Sequence, residues 1–311
     1  MKMIEIDNLV KRYVDFLAIN HLNMNVEKGD ILGLLGPNGS GKSTTINCIL
    51  SLLSYDRGEI KIFGEKMGPE KYGIKQKIGV VPQEIAVFDE LNVRDNIDYY
   101  CGLYINDKTI RRQHVDEVIE LVGLEDFCKF LPKQLSGGLK RRLNIACGIV
   151  HKPELIFLDE PTVAVDPQSR NKILESIKEL NRQGATIVYT THYMEEVEIL
   201  CNRIVIIDQG QVIAEGSKEE LKNMVRSSEK VVVEVPEIQQ HQLTELSKLP
   251  GILEISYDEL HLVVYTEELR ISMLPLLSYF EAQNIPYANL ITEEATLNDV
   301  FLEITGKELR D

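Results

Sequence analysis

The sequence predicts an α/β layer fold followed by a smaller α+β domain. Three observations lead there. Short, unbroken apolar runs alternate with helical patterns over most of the chain. A G-x-x-x-x-G-K-S stretch joins one of those runs to a helical pattern. After about residue 225 the order of predicted elements changes to βαββαβ.

The elements follow in chain order. "MIEIDNLVKRY" and "LNMNVEKGD" alternate apolar and polar residues, as antiparallel strands with one buried face do. "ILGLLG" at 31–36 is the first of four continuous apolar runs; "ELIFLDE" (154–160), "ATIVYTT" (185–191) and "RIVIID" (203–208) are the others. Runs this short fit parallel strands covered on both faces. Ser169–Arg182 and Tyr193–Cys201 carry helical spacing between them. Residues 91–150 read as helices without a strand, which predicts a helical insert in the core. Beyond 225, "EKVVVEVP" is a strand, "IQQHQLTELSKL" a helix, and "GILEISYDELHLVVYT" two strands turning near Asp258. "ISMLPLLSYFEAQN", "YANLIT" and "TLNDVFLEITG" complete the set as helix, strand and helix, a pattern that fits a ferredoxin-like sandwich. The predicted domains are 1–225 and 226–311.

Composition narrows the function. With 311 residues, 44% of them hydrophobic, the chain can bury more than one core. Asp and Glu number 49 against 34 Lys and Arg, a net charge of −15. That balance argues against a generic nucleic-acid binder and against electrostatic docking on anionic lipid. The five cysteines include no C-x-x-C pair and no His/Cys cluster, so reduced, buried thiols and no zinc site are expected. The N-terminus lacks the apolar core of a signal peptide, and no run reaches the ~18 apolar residues of a membrane span. A cytoplasmic protein is expected, with any role at a membrane exercised through a partner rather than by lipid insertion.

"GPNGSGKST" at 36–44 is the clearest chemical signal. It follows a strand and opens a helix, the context in which Gly36, Pro37, Asn38, Gly39, Ser40, Gly41, Lys42, Ser43 and Thr44 curl round phosphates. Lys42 would reach the β- and γ-phosphates, and the Ser43 hydroxyl would hold Mg²⁺. "LIFLDEP" at 155–161 supplies the partner acids: Asp159 to hold Mg²⁺ through a water, and Glu160 to orient and polarise the attacking water. Together they read as an NTPase. A second anion-binding helix start appears at "LSGGLKRR" (135–142).

Four more signals fall in a telling order. Tyr13 lies upstream, Gln83 follows a strand in "VVPQE", Ser136–Gly138 precede the acid strand, and His192 follows the strand in "YTTHYMEE". Across residues 1–225 the chain resembles the ATP-binding subunit of ATP-binding-cassette (ABC) transporters, which implies a P-loop NTPase core of the RecA kind. The resemblance implies that Tyr13 stacks on adenine, that Gln83 serves the metal and the attacking water, and that His192 bonds the γ-phosphate. It also implies a head-to-tail homodimer, in which Ser136, Gly137 and Gly138 bind the ATP held by the other copy's phosphate loop and Asp166 crosses the interface. Leu139 stands where Gln is frequent, and Ala164 where Gly is commoner. Membrane subunits are expected to dock on the Gln83–Tyr104 segment, putting the protein on the inner face of the membrane.

"EEATLNDVFLEITG" at 293–306 resembles the tail of ATPase subunits of drug, antibiotic and bacteriocin exporters. A soluble ABC ATPase acting without a membrane partner is the alternative. Lys140–Arg142 are expected as a solvated helix face, and Phe88, Leu91, Tyr99 and Tyr100 mostly as core. In the final helix Leu297, Val300, Phe301 and Ile304 form one apolar stripe that needs a cover.

Overall fold

The computed structural model describes residues 1–224, 229–266, 269–294 and 296–305. The chain divides into two compact units, with the division between Ser217 and Lys218. The boundary expected at 225/226 lies outside the described residues. The first unit runs β1 (Lys2–Tyr13), β2 (Phe16–Glu27), β3 (Ile31–Leu35), α1 (Lys42–Ile49), β4 (Arg57–Ile62), β5 (Glu65–Lys66), α2 (Tyr72–Lys75) and β6 (Ile78–Val81). It continues α3 (Val93–Gly102), α4 (Lys108–Val122), α5 (Gly137–Ile149), β7 (Leu155–Asp159), α6 (Pro167–Arg182), β8 (Thr186–Thr191), α7 (Met194–Leu200), β9 (Arg203–Asp208) and β10 (Gln211–Gly216).

Two sheets build this unit. One is antiparallel, in the order β2-β1-β4-β5; the other has the order β10-β9-β3-β8-β7-β6. The four continuous apolar runs became β3, β7, β8 and β9, which are parallel neighbours or share one, as unbroken hydrophobicity requires. Leu32, Leu34, Phe157, Val188, Val205 and Ile207 are buried in one cluster with Ile4, Leu9 and Leu22 of the antiparallel sheet. Each such side chain contributes about 1.5–3 kcal/mol through burial. The strands β4, β5 and β10 were not expected. β10 folds back on β9 through Gln209 and Gly210, both at positive φ, a two-residue hairpin turn.

The helical insert is α3, α4 and α5, and its ends are specified locally. Asp107 caps α4 by accepting from the backbone of Thr109 and Ile110, and Gly123 closes it in the left-handed region. Ser136 caps α5, its Oγ accepting from Leu139 N at 3.3 Å.

The second unit runs α8 (Lys218–Lys222), β11 (Glu229–Glu234), α9 (Gln240–Leu246), β12 (Ile252–Asp258), β13 (His261–Thr266), α10 (Leu269–Ala282), β14 (Ala288–Glu294) and α11 (Leu297–Thr305). Its sheet is antiparallel with the order β12-β13-β11-β14. Val231 and Val233 of β11, Leu262 and Val264 of β13, and Leu276 and Phe280 of α10 form its core. The α11 stripe is covered at Leu297, Val300 and Phe301, and this helix packs against α8; Ile304 remains 39% exposed.

Candidate nucleotide site

The fully buried strand β3 ends at Leu35, and the chain then turns through 36–41 into α1. Gly41 caps α1 at φ +108, and a Cβ there would lie 2.7 Å from the Ala18 carbonyl oxygen, so only glycine fits. Lys42 folds back over the turn: its Nζ donates to Gly36 O at 2.7 Å and Pro37 O at 3.2 Å. Burial pushes the Lys42 ammonium below its ordinary range, with Glu160 and Asp159 acting against that push. Ser40 N donates to Pro37 O. The backbone N–H groups of Asn38, Gly39, Gly41, Lys42, Ser43 and Thr44 have no acceptor among the described residues. Six unpaired donors beside an ammonium at a helix start fit a polyanion such as a chain of phosphates.

β7 carries the acids to the same edge. Ser43 Oγ donates to Asp159 Oδ1 at 3.4 Å, and Thr190 Oγ1 donates to the same oxygen at 2.5 Å. Among the described residues no three His, Cys, Asp or Glu side chains converge as a metal cage. A hydroxyl and a carboxylate beside a phosphate cradle are instead the hard-oxygen set that suits Mg²⁺ shared with substrate phosphates.

Glu160 follows with φ +45 and is 8% exposed. Its backbone N–H donates to Thr190, both to the carbonyl at 3.1 Å and to Oγ1 at 3.0 Å. Its carboxylate is gripped from two sides. Gln83 Nε2 donates to Oε2 at 3.1 Å, and His192 Nδ1 lies 3.4 Å from Oε1. The structure thus brings together Lys42, Ser43, Gln83, Asp159, Glu160 and His192.

It holds the other predicted residues elsewhere. Ser136–Gly138 pack against the start of α6: a Cβ on Gly138 would sit 2.3 Å from Ser169 Oγ and 2.8 Å from Asp166 Oδ2. Asp166 caps α6, accepting from Ser169 N at 2.9 Å, and that bond holds its carboxyl below the usual carboxylate range. No hydrogen bond joins Ser136–Gly138 to the 36–44 loop among the described residues. Ser136 and Gly137 are exposed, so the two anion-binding helix starts are separate in one copy. Ala164 sits in the left-handed region at φ +57, which costs a residue with a Cβ about 1–2 kcal/mol. Tyr13 is 44% exposed at the end of β1, with Lys11 Nζ 5.2 Å from its ring.

Two expectations fail. The Lys140–Arg142 run is not a solvated face. Arg141 is 6% exposed and donates to Pro82 O and Gln83 O, at 3.2 and 2.7 Å, so it anchors the segment that aims Gln83. Arg142 donates to Val122 O and Gly123 O, closing the end of α4. The reason is helical geometry: Gly138, Arg141 and Ile145 fall on one face of α5, and that face is buried. Phe88 and Tyr99 are likewise not core. They are 41% and 48% exposed and meet edge to face at 4.9 Å; Ile85, Leu103 and Tyr104 of the same segment are exposed as well. Thr190 and Glu196, both buried and both bonded into this region, carried no expectation at all.

A buried lysine in a glycine-rich anion cradle, a hydroxyl paired with a carboxylate, and a second carboxylate held by an amide and an imidazole define a P-loop nucleoside-triphosphatase. The comparisons narrow this. Residues 19–163 match the family model described as ABC transporter, and residues 129–198 match one described as AAA domain, putative AbiEii toxin, Type IV TA system. The linearmycin resistance ATP-binding protein LnrL of Bacillus subtilis (strain 168) is 40% identical, over 99% of this chain and 100% of its own. The Nod factor export ATP-binding protein I of Burkholderia orbicola (strain AU 1054) is 35% identical, over 99% and 98%. Among solved structures, the dimeric post-hydrolysis state of the ATP-binding cassette MJ0796 bound to ADP and Pi superposes with a TM-score of 0.64 and 29% identity, covering 69% of this chain and 98% of that one.

The chain belongs to the family of ABC transporter ATP-binding proteins. Its activity is ATP hydrolysis coupled to transport, and it is the motor subunit of the transporter.

Proposed function

We propose that the protein drives export of an antibiotic, drug, peptide or similar cargo. In this reading two copies close head to tail over two ATP molecules, and separate integral membrane subunits carry the substrate path. One observation carries the proposal: the Glu160 carboxylate is held by Gln83 and His192 beside Lys42 and Ser43, a base fixed next to a phosphate cradle. Lys42 and the loop N–H groups of 36–44 bind the β- and γ-phosphates. Ser43, Asp159 and Gln83 hold Mg²⁺, which when bound offsets phosphate charge. Glu160 orients the attacking water and takes its proton, and His192 bonds the γ-phosphate. Tyr13 offers its exposed ring to adenine.

The exposed start of α5 supports the dimer, since Ser136–Gly138 form a second anion-binding end that the same copy's loop does not use. MJ0796 was solved as a dimer with ADP and Pi, which supports the same arrangement here. The exposed apolar side chains of the 83–104 segment, Ile85, Phe88, Tyr99, Leu103 and Tyr104, support docking of a membrane subunit there and favour a transporter over a soluble ABC ATPase. No helix among the described residues is long and apolar enough to cross a membrane. Attachment to the inner face therefore rests on that partner.

The unit ending at Ser217 is the nucleotide-binding domain, and the unit that begins at Lys218 is an accessory domain that tunes the dimer. The βαββαβ order and the sheet order β12-β13-β11-β14 support a ferredoxin-like sandwich for the accessory part. The relatives named for linearmycin resistance and Nod factor export support efflux.

Glu160→Gln tests the reading. It should keep nucleotide binding, lower turnover by a factor of about 10²–10⁴, and trap a dimer visible by light scattering in saturating MgATP. A monomer with normal turnover would refute it.

A further inference from the structure

Glu196 is an acid buried to 1% exposure behind the nucleotide site, and none of the roles proposed above uses it. Both of its carboxylate oxygens are engaged. Its Oε2 accepts from Tyr189 Oη at 2.6 Å, Thr162 Oγ1 at 2.9 Å and Thr191 Oγ1 at 3.1 Å. Its Oε1 accepts from Arg170 Nε at 2.5 Å. Burial, with the Glu196 charge beside it, keeps the Tyr189 phenol protonated well above its ordinary range, so that donor is permanent.

The partners matter more than their number. Thr162 lies two residues after Glu160, at the head of the loop that runs to Asp166. Thr191 directly precedes His192, and its Oγ1 also accepts from Tyr193 N at 3.0 Å, so it pins both sides of His192. Arg170 lies in the first turn of α6, the helix that Asp166 caps, and its guanidinium stands over the Tyr193 ring at 5.0 Å. The Tyr193 ring in turn lies 4.1 Å from the His192 ring. One carboxylate therefore ties together three segments: the one leaving Glu160, the one flanking His192, and the helix start behind Ser136–Gly138.

A buried carboxylate is costly unless fully hydrogen-bonded, and removing its charge leaves its donors unpaired. A surface acid at this point of α7 would cost nothing. We propose that Glu196 is a positioning residue for ATP hydrolysis, holding Glu160 and His192 in register with each other and with the Asp166 loop. This rests on the proposed roles of Glu160 and His192.

The test uses the full chain with Glu196→Gln, His192→Ala, the double variant, and Thr162→Val, which removes one donor and keeps the shape. Steady-state ATPase gives kcat and KM, and fluorescent trinitrophenyl-ATP gives nucleotide affinity. A misplacement near 1 Å costs about a hundredfold in rate. Glu196→Gln should therefore lose tenfold or more in kcat and keep nucleotide affinity within about threefold, because the phosphate loop is untouched. In the Glu196→Gln background His192→Ala should cost little more, since both act on one geometry. If Glu196→Gln does not fold, Thr162→Val carries the same expectation with a smaller loss. Normal kcat in Glu196→Gln, losses that multiply in the double variant, or parallel loss of affinity and kcat would each overturn the proposal. Near-normal turnover in His192→Ala or Glu160→Gln would instead sink the proposed roles on which it rests.

Discussion

Gly138→Ala is a small change with a large expected effect. A Cβ at 138 would lie 2.3 Å from Ser169 Oγ, 2.5 Å from Ser169 Cβ and 2.8 Å from Asp166 Oδ2. Ordinary contact begins near 3.4 Å; the Ser169 hydroxyl can rotate away but its Cβ cannot, so the start of α6 must retreat by about 0.9 Å. Alanine gains up to about 1 kcal/mol over glycine as a helix former, whereas forced overpacking costs about 1–3 kcal/mol. The net loss is about 0–2 kcal/mol, or at most roughly 8 °C in Tm for a unit of this size. Catalysis should suffer more than stability. A shift near 1 Å at Asp166 and the loop from Glu160 predicts about a hundredfold loss in kcat. Nucleotide affinity, set by the 36–44 loop, should be unchanged. Ser169→Gly removes two of the three contacts while leaving its backbone N–H to bond Asp166. The double variant Gly138→Ala/Ser169→Gly should therefore recover most of the turnover. The assay is steady-state ATPase with trinitrophenyl-ATP binding on all three variants. Full activity in Gly138→Ala, or no recovery in the double variant, would refute this packing account.

Two further outcomes follow from buried groups. His151 donates from Nε2 to Ile78 O at 3.1 Å and stacks on Tyr104 at 3.8 Å; burial pushes its imidazole below the ordinary 6.5. The unfolded chain therefore takes up the proton first, and stability present above pH 6.5 is lost as the pH falls through the folded value. Melts between pH 7.5 and 5 should show a smaller acid loss for His151→Gln than for the parent; equal losses would contradict this. Cys48, Cys101, Cys147 and Cys201 are buried, with the Cys48 thiol pushed up to about 11 by burial, and only Cys128 is part-exposed. Brief iodoacetamide treatment of the native protein should label Cys128 alone by mass spectrometry, and labelling of two or more sites would contradict the burial.

Much of the site was legible because its signals are local. The phosphate loop needs a strand, a turn of glycines and a helix within fourteen or so residues, and each leaves a mark in composition. Asp159 and Glu160 stand out as paired acids closing an apolar run. What escaped is what long-range packing decides. Arg141 sits in a run of three cations, the usual mark of a solvated face, and only the period from Gly138 to Ile145 points it inward. Glu196 sits in "MEEVEIL", where two neighbouring glutamates look equivalent. Burial separates them, because Thr162, Tyr189 and Arg170 arrive from elsewhere in the chain. Phe88 and Tyr99 failed in the opposite sense: aromatic composition suggested core, and the rings instead form an exposed surface.

The geometry of the site follows from one property of the sheet, its register. Leu35 pairs with Thr191, Asp159 with Thr190, and Val81 with Leu158, all in parallel. The residues that follow these strand ends, Gly36, Pro82–Gln83, Glu160 and His192, therefore leave the sheet along one edge, although they are scattered over more than 150 positions of sequence. Binding sites of open parallel sheets lie at that edge. Yet hydrophobicity alone selects this register only weakly. The strands are apolar on both faces, so the burial penalty that normally fixes pairing is weak. A slip of two residues along β7 would keep the same side chains on the same faces but carry Glu160 about 6.6 Å from its place. That is beyond the reach of Gln83 and His192. Polar groups at the edge make the difference. Thr190 Oγ1 bonds Asp159 and receives Glu160 N, and no slipped pairing satisfies both bonds. The edge that holds the phosphate chemistry is thus also the part of the sheet that specifies how the strands align. Substitutions there act on turnover through alignment as well as through direct contact.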